Sequence, residues 1–183
     1  MFSIRFAETD SDLLAVLELQ RINLRKNISP SKWAEEGFLT AVYDLDYLRE
    51  MNQRTPFILS ETQNQIAGYL LACDREHALK HPLLQDLVFQ IEKTSFLGKP
   101  LHEIPYILIG QICIAKFARR QGLTARLYSA FRTQYSPSYE LAITDVAEDN
   151  PGSIQAHEKI GFKTLNELYF EDRKYRMILW NWE

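Results

Sequence analysis

The sequence has few of the features that mark secreted and membrane proteins. It contains only two cysteines in 183 residues, Cys73 and Cys113, and both lie in apolar runs where a free thiol packs as a small hydrophobic group. A disulfide framework is therefore excluded, and we expect a reducing, cytoplasmic environment. No stretch approaches the roughly 18 consecutive apolar residues of a membrane span, and no basic and apolar leader precedes the first strand pattern. We expect no membrane partner.

The chain also lacks an excess of basic residues. It carries 21 Lys and Arg against 24 Asp and Glu, which gives a net charge of −3. Nucleic-acid-binding proteins neutralise phosphates with concentrated positive charge, so the composition predicts no nucleic-acid partner. A hydrophobic fraction of 46% and the absence of repeats or linkers are typical of one folded domain, here residues 1–183.

Glycine is scarce, and each glycine therefore indicates a requirement of the backbone. The seven are Gly37, Gly68, Gly98, Gly110, Gly122, Gly152 and Gly161. Gly110 interrupts the strongest strand pattern of the chain, Tyr106–Ile114, and predicts a bulge or a close backbone approach there. Gly161 follows a helical pattern and predicts a C-cap.

Hydrophobic periodicity predicts a mixed α+β fold. Strands are predicted at Ser3–Phe6, 55–60, Gln65–Cys73, Tyr106–Ile114, 140–146, 162–168 and 174–180. Helices are predicted at 13–27, 32–36, 45–51, 74–92 with a break at Pro82, 123–133 and 153–160. The second half of the chain therefore contains a strand, helix, strand, helix unit.

The most informative stretch is a basic loop between a strand and a helix, Arg119-Arg120-Gln121-Gly122-Leu123-Thr124. Backbone N–H groups at a helix N-terminus, a glycine that permits close approach and two arginines suit an anion with several phosphate oxygens. The loop therefore predicts a pyrophosphate site. The alternative is an ordinary basic loop in which Gly122 only caps the helix.

A second motif lies further along the chain, where a helix begins at Asn150-Pro151-Gly152-Ser153 and ends in Glu158-Lys159-Ile160-Gly161-Phe162. With both motifs in place, the chain resembles the GNAT-type N-acetyltransferases. Their phosphate signature is Gln/Arg-x-x-Gly-x-Gly/Ala, and their last helix commonly ends in Glu-Lys-x-Gly-Phe. Thr124 departs from the first pattern, and Arg120 stands where glycine is frequent. The resemblance is specific from about 106 to 165; the N-terminal half agrees only in its order of elements.

The resemblance implies a GNAT-like fold, with a central, mostly antiparallel mixed sheet of roughly six to seven strands flanked by helices. It also implies that acetyl-coenzyme A (acetyl-CoA) binds where two parallel strands, Tyr106–Ile114 and 139–146, splay apart. Edge amides of Ile112, Cys113 and Ile114 would bind the pantetheine arm and polarise the thioester carbonyl. Amides of Arg119, Arg120, Gln121, Gly122, Leu123 and Thr124 would hold the pyrophosphate, with Arg119 and Arg120 as charge partners.

The resemblance also proposes a proton donor. His157 stands where many members of the family carry a tyrosine that protonates the departing thiolate, and a histidine exchanges protons near neutral pH. The alternative is a half-buried helix histidine that only packs or caps. Asn150 and Ser153 cap the start of this helix, and in the family an asparagine here also contacts the coenzyme arm.

The base that deprotonates the acceptor amine stays unassigned. The family often places a glutamate on the splayed strand, where this chain has Gly110 and Gln111. Glu103, Asp145 and Glu148 lie near strand ends, although each is also explained as a solvated charge. A water relay is an equal alternative.

Two weaker patterns favour structural interpretations. His77 and His81, with Asp74 and Glu76 nearby, have the spacing of half a metal site on one helix face, but no third ligand is indicated, so we expect an exposed helix face and no metal. Trp180 and Trp182 would suit a stacking platform for a base, but core packing or a dimer contact is the better explanation.

Together these features predict an enzyme that transfers an acetyl group from acetyl-CoA to a primary amine of an unidentified small molecule or peptide, by direct attack in a ternary complex. The acceptor groove would lie between residues 24–47 and the closing hairpin, which is also a candidate surface for homodimer formation. One alternative is a module of the same fold that binds or senses acyl-CoA without turnover. A structural protein without coenzyme is the other.

Overall fold

The computed structural model describes residues 1–63 and 65–182. A seven-stranded sheet forms its centre, in the order β1-β2-β3-β6-β7-β9-β8, and β4 and β5 form a separate small hairpin. The strands are β1 (Ser3–Phe6), β2 (Ile58–Thr62), β3 (Gln65–Cys73), β4 (Ser95–Phe96), β5 (Lys99–Pro100), β6 (Tyr106–Ile114), β7 (Leu141–Ala147), β8 (Lys163–Phe170) and β9 (Arg173–Asn181). All neighbouring strands of the sheet are antiparallel except β6 and β7.

Helices cover both faces of the sheet. They are α1 (Asp10–Asn23), α2 (Trp33–Glu36), α3 (Leu45–Arg54), α4 (Arg75–Ala78), α5 (Pro82–Glu92), α6 (Leu123–Tyr135) and α7 (Pro151–Ile160). Apolar residues of α1, α3, α4 and α5 pack in one core cluster, and those of α6 and α7 pack in the other. Because side chains of a strand alternate between faces, Leu108 of β6 joins the first core, and Ile107 and Ile109 join the second. The predicted fold class is confirmed.

The bulge predicted at Gly110 is present. Leu71 of β3 lies opposite Gln111 and Ala72 lies opposite Ile109, so Gly110 is the extra residue in β6. A Cβ atom at Gly110 would lie 3.2 Å from the hydroxyl oxygen of Tyr43, which is the predicted close approach.

The parallel pair of strands separates soon after it begins. Tyr106, Ile107 and Leu108 pair with Leu141, Ala142 and Ile143, and the pairing ends there. The hydroxyl of Thr144 then donates to the carbonyl oxygen of Ile109 at 2.9 Å. Beyond this bond the far half of β6 is open on its β7 side, which confirms the splayed pair.

The first predicted helix ends at Asn23 and not at 27, because Leu24 pairs with the distant Leu39 in an isolated parallel bridge. The break predicted at Pro82 is confirmed: the stretch 74–92 contains two helices, and Pro82, which cannot donate a backbone hydrogen bond, begins α5. His77 in α4 and His81 before α5 therefore lie on separate elements. The expected exposed helix face is wrong for His77, which is 3% exposed.

Candidate active site

The loop between β6 and α6 has an unusual backbone. After a 3-10 turn at Lys116–Ala118, Arg120 adopts φ of 62° and Gly122 adopts φ of 72°. Glycine is favoured in this left-handed region and other residues are strained there. Arg120 therefore has a backbone conformation that glycine would adopt more readily.

This loop presents a row of free backbone donors. Within residues 1–63 and 65–182, the N–H groups of residues 120–125 make no intramolecular hydrogen bond. The first backbone hydrogen bond of α6 runs from the Arg126 N–H to the Gly122 carbonyl. The first turn of α6 contains no acidic residue. The positive end of the helix dipole and these donors together form an anion site.

The two arginines of the loop have different roles. Arg119 donates from Nε to the Ile114 carbonyl at 3.1 Å and from Nη2 to the Asn23 side-chain oxygen at 2.8 Å. It therefore anchors the loop to the end of α1, and its hydrogen-bonding capacity is partly used. The side chain of Arg120 is 88% exposed and lies 3.9 Å from Glu35. Of the two, Arg120 is the charge that is free to approach a ligand.

An open groove of about 510 Å³ leads from this loop to the splayed strands. Gly122, Thr124 and Ala125 line it at the loop, and Asn150, Ser153 and His157 of α7 line it on the opposite side. Lys159 also lines the groove. The sequence motif contained this lysine, but only the helix geometry shows that it faces the same groove as the loop.

The open half of β6 lies along the groove. The Ala115 N–H donates to the Ala67 carbonyl at 2.8 Å, so the antiparallel alternation directs the Cys113 N–H toward β3 and the N–H groups of Ile112 and Ile114 away from it. Two of the three predicted edge amides therefore face the open side. The expectation for Cys113 is corrected, because its N–H belongs to the ladder with β3.

An irregular stretch at residues 37–44, which we call the covering segment, crosses the splayed strands. Asn150 is 4% exposed; it donates to the Phe38 carbonyl at 3.0 Å and accepts from the Ser153 N–H at 3.4 Å. Gln111 donates to the Ala41 carbonyl at 2.9 Å. Asn150 thus caps α7 as predicted and also attaches the covering segment to the helix.

A small cavity of about 80 Å³ lies beneath the covering segment. Its walls include Thr40, Gly110, Gln111, Asp145 and His157. Because His157 also lines the larger groove, cavity and groove meet at the point where β6 and β7 separate.

His157 is more buried than the sequence suggested. It is 4% exposed, and its ring packs edge-on against Tyr128 and Phe162, with centroids 5.7 and 5.1 Å away. Burial lowers its pKa to about 4. Nδ1 lies 2.7 Å from the Ser153 carbonyl oxygen, so Nδ1 carries the proton and Nε2 holds a lone pair. At neutral pH Nε2 must first gain a proton before it donates one.

The three carboxylates considered as bases lie in different surroundings. Glu148 accepts two hydrogen bonds of 2.6 Å from Arg176, and this bonding lowers its pKa. Glu103 is exposed in a 3-10 turn before β6 and is not among the residues that line the cavity. Asp145 does line the cavity, and its buried Oδ2 has no hydrogen-bond partner in the described ranges. Burial raises the pKa of Asp145 to about 7; a hydrogen bond from its own backbone N–H acts in the opposite direction, and Asp86 makes a smaller contribution that also raises it.

The remaining sequence candidates contribute to packing. Trp182 is 6% exposed and donates to the Tyr139 carbonyl at 2.8 Å, and Trp180 packs edge-on against Tyr128. The tryptophans are therefore part of the core and not an open stacking platform. Among the described residues, no group of three or more His, Cys, Asp or Glu side chains is arranged to hold a metal, and no helix has the length and apolar character to cross a membrane.

Comparison with known proteins agrees with this architecture. Residues 19–162 match the Acetyltransferase (GNAT) family. The chain therefore belongs to the GNAT acetyltransferases. No curated protein matches it by sequence.

Solved structures of low sequence identity share the fold. The ribosomal-protein-S18-alanine N-acetyltransferase of Escherichia coli superposes with a TM-score of 0.63 at 12% identity, covering 99% of this chain and 94% of that one. The structure of yncA from Salmonella typhimurium with its cofactor acetyl-CoA gives a TM-score of 0.63 at 15% identity, with 100% of this chain and 94% of that one covered. NAA60 of Arabidopsis thaliana, also in complex with acetyl-CoA, gives 0.66 at 13% identity, with 99% of both chains covered.

Proposed function

We propose that this protein is an N-acetyltransferase that moves an acetyl group from acetyl-CoA to a primary amine of a small molecule or peptide, by direct attack while both substrates are bound. The observation that supports this most is the row of free N–H groups at residues 120–125. These donors open onto a groove that meets, at the splayed strands, the small cavity lined by Asp145.

The described residues fit a coenzyme with a pyrophosphate. Acetyl-CoA supplies an acetyl group already activated as a thioester. The N–H groups of residues 120–125 and the positive end of α6 would hold the phosphate oxygens. Arg120 and Lys159 add positive charge that is screened by solvent, since the Arg120 side chain is 88% exposed. Arg119 keeps the loop in place through Asn23.

The open half of β6 would bind the arm of the coenzyme. The N–H groups of Ile112 and Ile114 face the groove, where they can pair with amide groups of the pantetheine and polarise the acetyl carbonyl. The side-chain amide of Asn150 already bonds to Phe38 and Ser153. Its role is therefore to position α7 and the covering segment beside the arm.

The acceptor amine would enter the cavity beneath the covering segment. A volume of about 80 Å³ has room for the amine and its nearest carbons, so the rest of the acceptor must lie outside. The E. coli enzyme named above acts on an alanine of a ribosomal protein, and a further similar structure is a NatC complex bound to Gag peptide. Peptide N-termini are therefore the first acceptors to test.

A protein that only binds acyl-CoA would use the same loop and groove. Such a protein has no use for an unpaired carboxylate in the cavity, and burying one costs stability. The presence of Asp145 in the cavity wall thus favours an enzyme over a binding module.

The coenzyme site is tested by a thermal shift with acetyl-CoA. At about a hundred times its Kd, the ligand is expected to stabilise the wild-type protein by roughly 2.7 kcal/mol. Thr124→Glu places a carboxylate at the second residue of α6, which the helix dipole tolerates but which repels phosphate. We expect this variant to fold and to lose the shift.

Thr124→Gln is the matched control, because it has the same length without the charge, and it is expected to keep most of the shift. An equal shift in Thr124→Glu would place the coenzyme elsewhere. No shift in the wild type, confirmed by calorimetry, would overturn the proposed function. Release of the CoA thiol in the presence of amines then separates the enzyme from the binding module.

A further inference from the structure

The position of Asp145 follows from where the parallel pairing ends. Ile143 is the last residue of β7 that pairs with β6. Asp145 stands two residues later on the same face of the strand, and it lines the cavity with Thr40, Gly110 and Gln111. Its side chain therefore lies where an acceptor amine would approach the acetyl group.

Among residues 1–63 and 65–182, no Lys, Arg or His side chain forms an ion pair with Asp145, and no cation influences its pKa. The titratable groups that influence it are Asp86 of α5, Tyr43 of the covering segment and Tyr175 of β9, and His157 in the same cavity is neutral. In residues 1–63 and 65–182, Oδ2 of Asp145 is buried without a hydrogen-bond partner. Buried carboxylates are normally paired, so this one has the charge and the vacant acceptor that a cationic ligand would satisfy.

The other polar side chains near the splay are already occupied. Gln111 accepts from the Tyr69 hydroxyl at 2.6 Å and donates to Ala41. Tyr43 donates to the Gly110 carbonyl at 2.8 Å. Asp145 is therefore the group in this cavity that has a free acceptor and a charge suited to an ammonium.

On this geometry we propose that Asp145 is the general base of the reaction, an assignment that rests on the proposed function. The acceptor enters as an ammonium and pairs with the Asp145 carboxylate. One proton passes from the ammonium to the carboxylate, which leaves a neutral amine and a carboxylic acid. The nitrogen then forms a bond to the acetyl carbon as the carbon–sulfur bond breaks. The sulfur receives the second proton that the nitrogen loses, and Asp145 returns its proton to water.

The acidity of Asp145 suits this role. Burial raises its pKa to about 7, and a base works best when its pKa lies near the operating pH. Because the base must be ionised, kcat/KM for the amine is expected to fall as the pH falls through this pKa. Asp86, whose buried Oδ2 is also unpaired, raises the pKa of Asp145 by repulsion. In Asp86→Asn the fall in kcat/KM is thus expected at lower pH.

The test compares Asp145→Asn with Glu148→Gln, a carboxylate of similar sequence position that is bonded to Arg176. CoA thiol release is measured from pH 5 to 9 with acetyl-CoA and an alanine-initiated peptide, free lysine or spermidine. Asp145→Asn is expected to lower kcat/KM by about 10²-fold or more and to remove the dependence near pH 7. Its affinity for acetyl-CoA is expected to stay that of the wild type, and Glu148→Gln is expected to keep both rate and pH profile.

A second readout does not depend on turnover. Because the ionised Asp145 has a buried Oδ2 without a hydrogen-bond partner in the described ranges, Asp145→Asn is expected to have a higher thermal midpoint than the wild type at pH 8. A structural role would give the opposite change.

Wild-type kinetics in Asp145→Asn, or a lower midpoint, would overturn this assignment and leave the proposed function intact. If the wild type releases no CoA thiol with any of the amines, Asp145 has no proton to accept and the assignment is wrong. Failure to bind acetyl-CoA would overturn the proposed function itself.

Discussion

The ring of His157 is held on both sides by aromatic residues and on its edge by a backbone carbonyl. Tyr128 and Phe162 pack against it, and Nδ1 donates to Ser153. Because Nδ1–H is fixed in this way, Nε2 is the ring nitrogen that is available for proton transfer. A neutral imidazole can accept the proton that the attacking nitrogen loses and pass it to the sulfur. We therefore propose a proton relay at His157 in place of a ready-charged acid.

Replacing His157 by Phe tests the relay. Phe keeps the contacts with Tyr128 and Phe162 but has no Nε2. We expect kcat to fall by about 10²-fold while KM for acetyl-CoA is unchanged. His157→Asn is the control for the Ser153 bond, because its amide can still donate there while the titratable nitrogen is lost, and it is expected to lose as much kcat as the Phe variant. Steady-state kinetics measure kcat in both variants. A wild-type kcat in His157→Phe would contradict the relay and show that His157 only packs.

Single residues were predictable where their chemistry is local. The bulge at Gly110 and the caps at Asn150 and Gly161 follow from what glycine and asparagine do in any backbone, and they are present. The anchoring of Arg119 by Asn23 depends on residues far apart in the chain, so no local pattern contains it. The burial of His157 has the same origin, since Tyr128 and Phe162 come from neighbouring elements.

At the level of elements, the covering segment is held by polar bonds to the sheet. Tyr43 is 4% exposed, and its hydroxyl donates to the carbonyl of Gly110 at 2.8 Å. The Tyr43 N–H and carbonyl in turn bond to the side-chain amide of Gln20. The segment therefore joins α1 to the bulge of β6, and it fixes the roof of the cavity relative to its floor.

Tyr43→Phe is expected to lower the free energy of unfolding by about 1 to 2 kcal/mol, because the partly buried Gly110 carbonyl loses its donor. The same change is expected to reduce kcat/KM for the amine, since the cavity roof is less firmly held. Urea unfolding and steady-state kinetics measure the two effects.

The matched control is Tyr135→Phe on the opposite face of the sheet, where the hydroxyl donates to the Pro56 carbonyl at 2.8 Å. This variant is expected to lose similar stability with unchanged kinetics. Equal kinetics in the two variants would mean that the Tyr43 bond serves stability alone.

Elements with strong periodicity were predicted well, because alternation and helical spacing report directly which face is buried. The strands β3 and β6 and the helices α6 and α7 have nearly the expected bounds. The end of α1 was misplaced, because the bridge between Leu24 and Leu39 competes with the helix and is not a local signal. The covering segment has no regular periodicity, so its path over the cavity could not be derived from sequence.

In the whole molecule, two faces of one sheet are brought to a common site. The helix that presents the free N–H groups packs on one face, and Asp145 and the covering segment lie on the other. The gap between β6 and β7 connects them, as the end of their pairing requires. The motifs predicted which strands form this gap. The buried charge beside it depends on the packing of the entire sheet.

Buried titratable groups also give the molecule a characteristic dependence of stability on pH. The pKa of Asp145 is about 7 in the folded state, above its ordinary value of 3.8. The folded protein therefore retains a proton that the unfolded chain releases, and stability falls as the pH rises through that interval. The pKa of His157 is about 4, below its ordinary value of 6.5. Here the unfolded chain binds the proton first, so stability rises with pH over that interval.

The two contributions overlap between about pH 4 and 6.5, where their slopes oppose each other. In the wild type, the summed contribution of Asp145 and His157 to the free energy of unfolding is expected to change little in this range. In Asp145→Asn only His157 contributes to this pH dependence, and its contribution is expected to raise the free energy of unfolding by up to about 1.4 kcal/mol per pH unit. In His157→Phe only Asp145 contributes, and its contribution is expected to lower the free energy of unfolding with rising pH at a similar rate.

Urea denaturation of the three proteins at pH 4.5, 5.5, 6.5 and 7.5 measures these slopes, because the shared surface carboxylates contribute equally to each and cancel in the differences. Opposite signs of the two slope differences, each variant minus the wild type, would establish that both groups titrate inside the folded protein. Parallel curves would show that solvent reaches Asp145 and His157, and the cavity would then lack the dry surroundings on which both proposed proton transfers depend.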